Sequence, residues 1–417
     1  MSAGTFTLAD LVLRRERGRP SAWAGLLGRQ GVRRALMRTS SADSIVTDSA
    51  AAGSAWGSGR HVHNNVINIT PDGVEHTPIL VQARQNAKRV GLVTTTRVTH
   101  ATPASFIANT PSRNLEDQIA RQIIERGVDV CLGGGAKHFP EAALQAAGVR
   151  TVRDADALAG AAVGGRLLGL FHESHCRYVL DRQSGDPSLS AMTQAALRHL
   201  GDGPDGFVLQ VEGGRVDHAA HANDAPSLVA EQIDFDDALE TVLRFIEGRD
   251  DTLLIVTTDH ANANPGLTLY GQEGERCLQR LRRAKRSFEW IFEQLQTRLA
   301  SDDPVDTSRF KREAEIPAIV REATGVELEA WETELFTNAL RGRARQPFAP
   351  MSAPACVLGA CLANRFGVSF VSPNHTADDV EVTALGPGSE ELGGMIDNIE
   401  LHALMVRAMD LAPVGAG

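Results

Sequence analysis

The sequence predicts an α/β fold: a three-layer sandwich with a mostly parallel central sheet flanked by helices, plus a helical insertion. Three observations carry this. Short β-branched runs alternate with amphipathic stretches over the first two-thirds of the chain, and each run stops at Gly, Asp, His or Thr. The alternation is broken by a charged, helix-prone stretch over residues 272–350, after which one more strand and one more helix follow. Strands alternating with helices of ten or more residues specify parallel pairing, with both faces of the sheet covered.

In chain order, the expected strands are Val90–Thr95, Val128–Leu132, Arg166–Phe171, Phe207–Val211 and Thr252–Thr257. Each is too short for a helix and rich in the residues that suit a pleated, buried surface. The clearest helix is Ala225–Glu247, with Leu228, Val229, Ile233, Phe235, Leu239, Val242 and Ile246 at helical spacing. Pro226 suits its first turn and Gly248 its end. The insertion carries Arg276, Arg280, Arg282, Arg283, Lys285 and Arg286, followed by Trp290, Phe292 and Leu295. These basic residues read as a solvated helix face. Gly367–Val371 resumes as a strand and Ile399–Leu411 as a helix, and no internal repeat interrupts what reads as one domain over 1–417.

Composition narrows the function. Forty-two basic against fifty-two acidic residues leave a net charge of −10, which argues against a nucleic-acid or anionic-membrane binder. No apolar run reaches the ~18 residues of a membrane span. Cys131, Cys176, Cys277, Cys356 and Cys361 are scattered, without a Cys-x-x-Cys, and read as thiols.

In open parallel sheets, reactive residues collect past the carboxyl ends of strands. Glu212 ends one strand, a Gly213-Gly214 turn follows, and Asp217 and His221 lie four residues apart on one helical face, where both can reach a single ion. Asp259 and His260 end another strand, and as neighbours they share an ion only where that strand unwinds. His375 follows the late strand. Mixed Asp/His ligation suits zinc, and Glu212 with a hydroxyl suits magnesium. Ser49 lies where Val46-Thr47-Asp48-Ser49 runs into alanines, a loop entering a helix. Backbone N–H groups gather at such a start and favour an anionic substrate. No Gly-x-Ser-x-Gly elbow surrounds Ser49, which weakens an esterase triad reading; activation by metal coordination is the alternative route, and ligands for it are present.

These residues resemble the alkaline phosphatases. Thr47-Asp48-Ser49-Ala50-Ala51 is similar to the family's nucleophile motif, and Thr99-His100-Ala101-Thr102-Pro103 to its magnesium-site segment. Glu212, Asp217, His221, Asp259, His260 and His375 follow the family's order of ligands, and Arg113 stands where the family places its phosphate clamp. The resemblance implies two zinc ions and one magnesium. Asp217, His221 and His375 would hold one zinc; Asp259, His260 and the Ser49 oxygen the second; Thr102 and Glu212 the magnesium. It further implies phosphomonoester hydrolysis through a phosphoserine, release of inorganic phosphate and an alcohol, and a homodimer. His100 and His218 stand where some members carry Asp and Lys and others carry His, and with Asp48 they are expected to support the ligands without being ligands themselves.

The family opens with an apolar strand ending in Gly-Asp-Gly-Met, whose Asp bridges the second zinc and the magnesium. Met1-Ser2-Ala3-Gly4 resembles the residues just after that Asp, and Asp10 reads as part of the ensuing helix. The expectation is therefore a coding region extending upstream of Met1, with an export signal and a periplasmic or secreted destination; without one, the chain would be cytoplasmic. If the chain starts at Met1, the alternative is a catalytically impaired protein that binds phosphate or metal. A phosphodiesterase of the same superfamily is the other alternative. A sulfatase is excluded because Ala51 and Gly53 replace the required Pro and Arg.

Overall fold

A computed structural model describes residues 1–201, 203–299 and 314–411. Its centre is a five-stranded, all-parallel sheet in the order Val149–Val152, Arg166–Leu170, Val130–Gly134, Arg89–Arg97 and Phe207–Glu212. Helices cover both faces, so the fold is α/β with a mostly parallel sheet between helical layers. The strand Arg89–Arg97 is buried from Val90 to Thr96, as expected where both faces are covered.

The expected strands all form, with ends shifted by at most two residues. Two expectations are corrected. The strands do not make one sheet: Leu254–Val256 belongs to a second, four-stranded sheet in the order Gly394–Asp397, Arg33–Arg38, Val380–Leu385, Leu254–Val256. Val380–Leu385 runs antiparallel to both of its neighbours there. Gly367–Val371 contributes only Val368–Ser369, a two-residue ladder with Gly266–Leu267, because Pro373 and the turn to His375 follow at once. Arg33–Arg38 escaped the sequence reading because arginines hold three of its six positions; only Ala35 and Met37 face the core.

Ala225–Phe245 is the long helix expected, capped by Asp224, which accepts the Ser227 N–H. The insertion supplies helices Gly271–Leu281, Phe288–Leu299, Ile316–Thr324 and Ala330–Leu340. Phe288, Ile291, Ile316, Ile319 and Phe336 share one hydrophobic cluster with Leu8 and Val12 of the first helix, Ala3–Arg17, and with Leu358 and Phe366. The insertion is thus packed onto the body of the protein. All five cysteines are free thiols. Among the described residues no helix is long and apolar enough to cross a membrane.

Candidate functional site

Ser49 is the first residue of the helix Ser49–Ser58, and Asp48 is its N-cap, accepting the Ala51 N–H. Capping uses one carboxylate oxygen of Asp48; the other takes Arg113 Nη1 at 2.9 Å and the Asn65 N–H at 3.1 Å. One side chain thereby fixes both the helix that begins at Ser49 and the arginine. The helix packs against Ala101–Ile107, which carries Thr102, at very close range. A Cβ on Gly57 would fall 2.0 Å from the Ser105 carbonyl oxygen, and one on Gly53 would fall 2.7 Å from Ser105 Oγ. Small residues are what let Ser49 and Thr102 sit on neighbouring helices.

Glu212 closes the last strand of the parallel sheet. Gly214 follows where a Cβ would meet Thr96 Cγ2 at 2.4 Å, so the chain turns there only without a side chain. The turn starts the helix Arg215–His221, which sets Asp217 Oδ2 at 3.2 Å from His221 Nε2. Asp259 and His260 lie past the end of Leu254–Val256, where the strand has unwound, and His260 Nε2 is 3.0 Å from both Asp259 Oδ2 and Ser49 Oγ. His375 is placed by a two-residue ladder in which it pairs with Asn262. Its ring stacks on that of His260 with centroids 3.5 Å apart.

The histidine tautomers follow from the backbone. His221 Nδ1 donates to the Pro373 carbonyl at 2.5 Å and His375 Nδ1 to the Thr47 carbonyl at 2.8 Å. The two Nε2 atoms face each other at 3.1 Å beside the Asp217 carboxylate. In the neutral rings both carry lone pairs, and two lone pairs converging with a carboxylate fit a cation; an Nδ1–H bound to a carbonyl is the usual support of a metal-binding imidazole. Among the described residues, Asp217, His260 and His375 form a trio of metal-competent side chains whose ligand atoms lie within 4.8 Å of one another. This trio crosses the two ligand sets that the sequence resemblance implied.

The local field is consistent with that arrangement. Burial works against ionisation of Asp217, but His221, His260 and His375 outweigh it and hold the carboxyl well below its usual range. At Asp259 burial is likewise opposed, by His260 and the Met1 ammonium, and the carboxyl is driven down. Glu212 goes the other way, pushed up to about 7 by burial, with Asp259 and Asp217 adding to the rise and the Thr94 and Thr102 hydroxyls opposing it. Burial and His260 bring His375 down to about 4.

Beyond Arg113 lies a cluster that sequence reasoning found only in part. His100 Nε2 is 3.1 Å from Arg113 Nη2, and His218 Nδ1 is 2.9 Å from Arg215 Nη1. Between them sits His175, with ring centroids 5.4 Å from His100 and 4.4 Å from His218, held by the Arg97 N–H. His175 was missed, although His172 and His175 follow the end of a predicted strand, which is the available signal. Burial depresses all three imidazoles, with Arg113 next at His100, His218 next at His175 and Arg215 next at His218, which lies near 3. Arg215 lies over the Tyr178 ring at 3.7 Å and is paired at 2.8 Å with Glu289 of the insertion, so the insertion reaches the site through one ion pair. Asp10 is elsewhere, bound to Arg14 and the Ser21 N–H.

Comparisons with known proteins give the family. The family model for alkaline phosphatase matches residues 30–411. The chain is 31% identical over 372 residues to alkaline phosphatase 4 of Bacillus subtilis strain 168, covering 86% of this chain and 75% of that one. For alkaline phosphatase 3 of the same organism the identity is 30% over 381 residues, covering 87% and 77%. Among solved structures, the alkaline phosphatase of Thermus thermophilus matches with a TM-score of 0.90 at 34% identity, covering 99% of this chain and 90% of that one. The cold-active alkaline phosphatase of Shewanella sp. matches with a TM-score of 0.79 at 27% identity, covering 99% and 97%. A serine at a helix start, an arginine fixed beside it and converging Asp and His side chains thus occur on a chain that belongs to the alkaline phosphatase family and is a phosphatase.

Proposed function

We propose that this enzyme hydrolyses phosphate monoesters through a phosphoserine at Ser49, with metal ions held by the residues around it. Asp217, His221 and His375 would hold one zinc, Asp259, His260 and Ser49 Oγ a second, and Thr102 with Glu212 a magnesium. Bound there, such ions supply Lewis acidity and a lowered pKa for the oxygens that attack and leave. The observation carrying this reading is that the Nε2 atoms of His221 and His375 face each other at 3.1 Å beside Asp217.

The protein's own groups then have distinct tasks. Arg113, its guanidinium steadied by Asp48, presents a planar fork to two phosphoryl oxygens. The first turn of Ser49–Ser58 adds backbone N–H groups and the positive end of the helix dipole. Ser49 Oγ attacks phosphorus; the bond to the ester oxygen breaks, and the proton lost by Ser49 balances the one taken up by the departing alcohol. Water then attacks phosphorus, the Ser49 Oγ–P bond breaks, and inorganic phosphate leaves. The imidazoles of His100 and His218, kept neutral, offer N–H groups without adding charge beside the magnesium ligands. A homodimer is inferred from the family.

The test is to measure metal content by elemental mass spectrometry alongside turnover of a chromogenic phosphomonoester, for the native chain and for Ser49→Ala. Bound zinc, turnover lost on chelation and restored by zinc, and phosphate label on a peptide containing Ser49 after acid quench are the expected results. Undiminished turnover by Ser49→Ala would refute the phosphoserine. Metal binding without turnover in the native chain would favour the alternative of an impaired phosphate- or metal-binding protein.

A further inference from the structure

Each imidazole of the trio His100, His175 and His218 meets a guanidinium, and each guanidinium is backed by a carboxylate. Asp48 pairs with Arg113, which reaches His100; Glu116 pairs with Arg97, which reaches His175; Glu289 pairs with Arg215, which reaches His218. The first two carboxylates belong to the body of the fold, at the starts of Ser49–Ser58 and of the helix Glu116–Glu125. The third comes from the insertion, in the first turn of Phe288–Leu299.

Arg215 is built to stay in place. Its backbone N–H donates to Thr95 Oγ1 at 3.1 Å, its guanidinium lies 3.7 Å over the Tyr178 ring, and its side chain is buried. Both Glu289 oxygens accept from Arg215 Nη2, at 2.9 and 2.8 Å, while Nε is buried with no partner among the described residues. The buried charge therefore leans on Glu289. The turn that holds Glu289 is fastened independently: Ser287 donates to Asp181, the Phe288 N–H to Asp224 Oδ2 at 2.7 Å, and the Trp290 N–H to Ser287 Oγ at 3.0 Å. Arg215 Nη1 is left for His218. Arginine has donors only, so His218 Nδ1, at 2.9 Å, must accept, and the ring's one proton sits on Nε2.

We propose that Arg215 and Glu289 are positioning residues for the phosphatase reaction, fixing the His218 ring as the Nε2–H tautomer and so setting which N–H it offers. The insertion thereby tunes the site through one carboxylate. The inference rests on the role given to His218 above and adds the residues that enforce it. Turning the ring over would set a C–H edge against the guanidinium and leave a buried donor unmade, so one orientation is selected along with one tautomer. Without Glu289, the guanidinium loses its anchor, and a shift of Arg215 frees His218 to exchange both.

The test pairs steady-state kinetics with nitrogen NMR of the histidine side chains, on the full chain supplied with zinc and magnesium. Native, Glu289→Ala and Glu289→Gln enzymes are compared, and His218→Asn identifies the His218 signals. The native spectrum should show Nε2 protonated and Nδ1 bare. Glu289→Ala should mix the two tautomers and lower kcat about 10-fold, the scale on which loss of an orienting partner is felt. Gln keeps an oxygen for Arg215 at roughly half the strength, so Glu289→Gln should retain the native tautomer and lose only about 3-fold. A native His218 protonated on Nδ1 would overturn the proposal. So would native kcat in Glu289→Ala, a fallen kcat with an unmoved tautomer, or equal losses in the two variants. An inert native chain would refute the proposed hydrolysis, and the spectra alone would then decide whether Glu289 fixes His218.

Discussion

The contact between the helices carrying Ser49 and Thr102 makes a sharp prediction at two glycines. In Gly57→Ala, the new methyl group would lie 2.0 Å from the Ser105 carbonyl oxygen and 2.9 Å from its carbonyl carbon. Contact requires roughly 3.2 Å, so backbone must yield by about 1.2 Å, and overpacking of this kind costs about 1–3 kcal/mol. The same carbonyl accepts the buried Asn68 Nδ2–H at 2.7 Å, and a buried hydrogen bond left unmade costs about 1–3 kcal/mol more. Alanine returns about 1 kcal/mol of helix propensity. The net expectation is a loss of about 3 kcal/mol. In Gly53→Ala the nearest atom is Ser105 Oγ at 2.7 Å, the end of a side chain that can rotate, with Ser105 Cβ at 2.9 Å. There the loss should stay within about 1 kcal/mol. Urea unfolding followed by circular dichroism measures both. A second substitution, Ser105→Ala, should recover part of the Gly53→Ala loss and none of the Gly57→Ala loss, because the second clash is with backbone. If Gly57→Ala is as stable as Gly53→Ala, or is rescued by Ser105→Ala, the reasoning from helix proximity is wrong.

Other expectations rest on single contacts. Glu231 is pushed up to about 8 by burial first and Asp234 second, against the Val179 N–H, Arg215 and Arg182. Its folded form therefore holds a proton that the unfolded chain gives up near pH 4.5, so its contribution falls as pH rises from there to about 8. Glu231→Gln should flatten that fall, and unfolding measured at about pH 5 and about pH 8 should show a larger gain at the higher pH. Arg113→Ala should lower kcat/KM by about 10- to 150-fold, the range for a lost charged hydrogen bond, and Arg113→Lys should recover only part because ammonium has no planar fork. Glu289→Ala leaves Arg215, whose side chain is 3% exposed, without its carboxylate; since Glu289 is itself 49% exposed, the cost should be about 1 kcal/mol in thermal unfolding. An unchanged melting temperature would mean that Tyr178 and His218 hold Arg215 without the carboxylate.

The strand ends were legible in the sequence because a buried parallel strand writes itself as a short apolar run, and Glu212, Asp259 and His260 sit where such runs stop. The Asp217–His221 spacing was legible for a similar reason, since helical geometry alone brings the pair together. The hidden features depend on long-range geometry. His175 is one histidine in a loop, and it acquires meaning only because the Arg97 N–H holds it between His100 and His218. Gly53 and Gly57 read merely as small residues until Ser105 is seen pressed against both. The break between the sheets was hidden too, because Leu254–Val256 has the texture of any parallel strand while its hydrogen bonds go to the antiparallel Val380–Leu385.

The bond from His375 Nδ1 to the Thr47 carbonyl joins residues 328 positions apart. During synthesis, the serine's loop leaves the ribosome long before the histidine that must seat against it. At about 5–20 residues per second, that interval is on the order of tens of seconds. Throughout it, the N-terminal part lacks His375 and its ladder to Asn262, so the cluster of Asp217, His260 and His375 is a product of chain completion. Assembling the site and finishing the fold become a single late event.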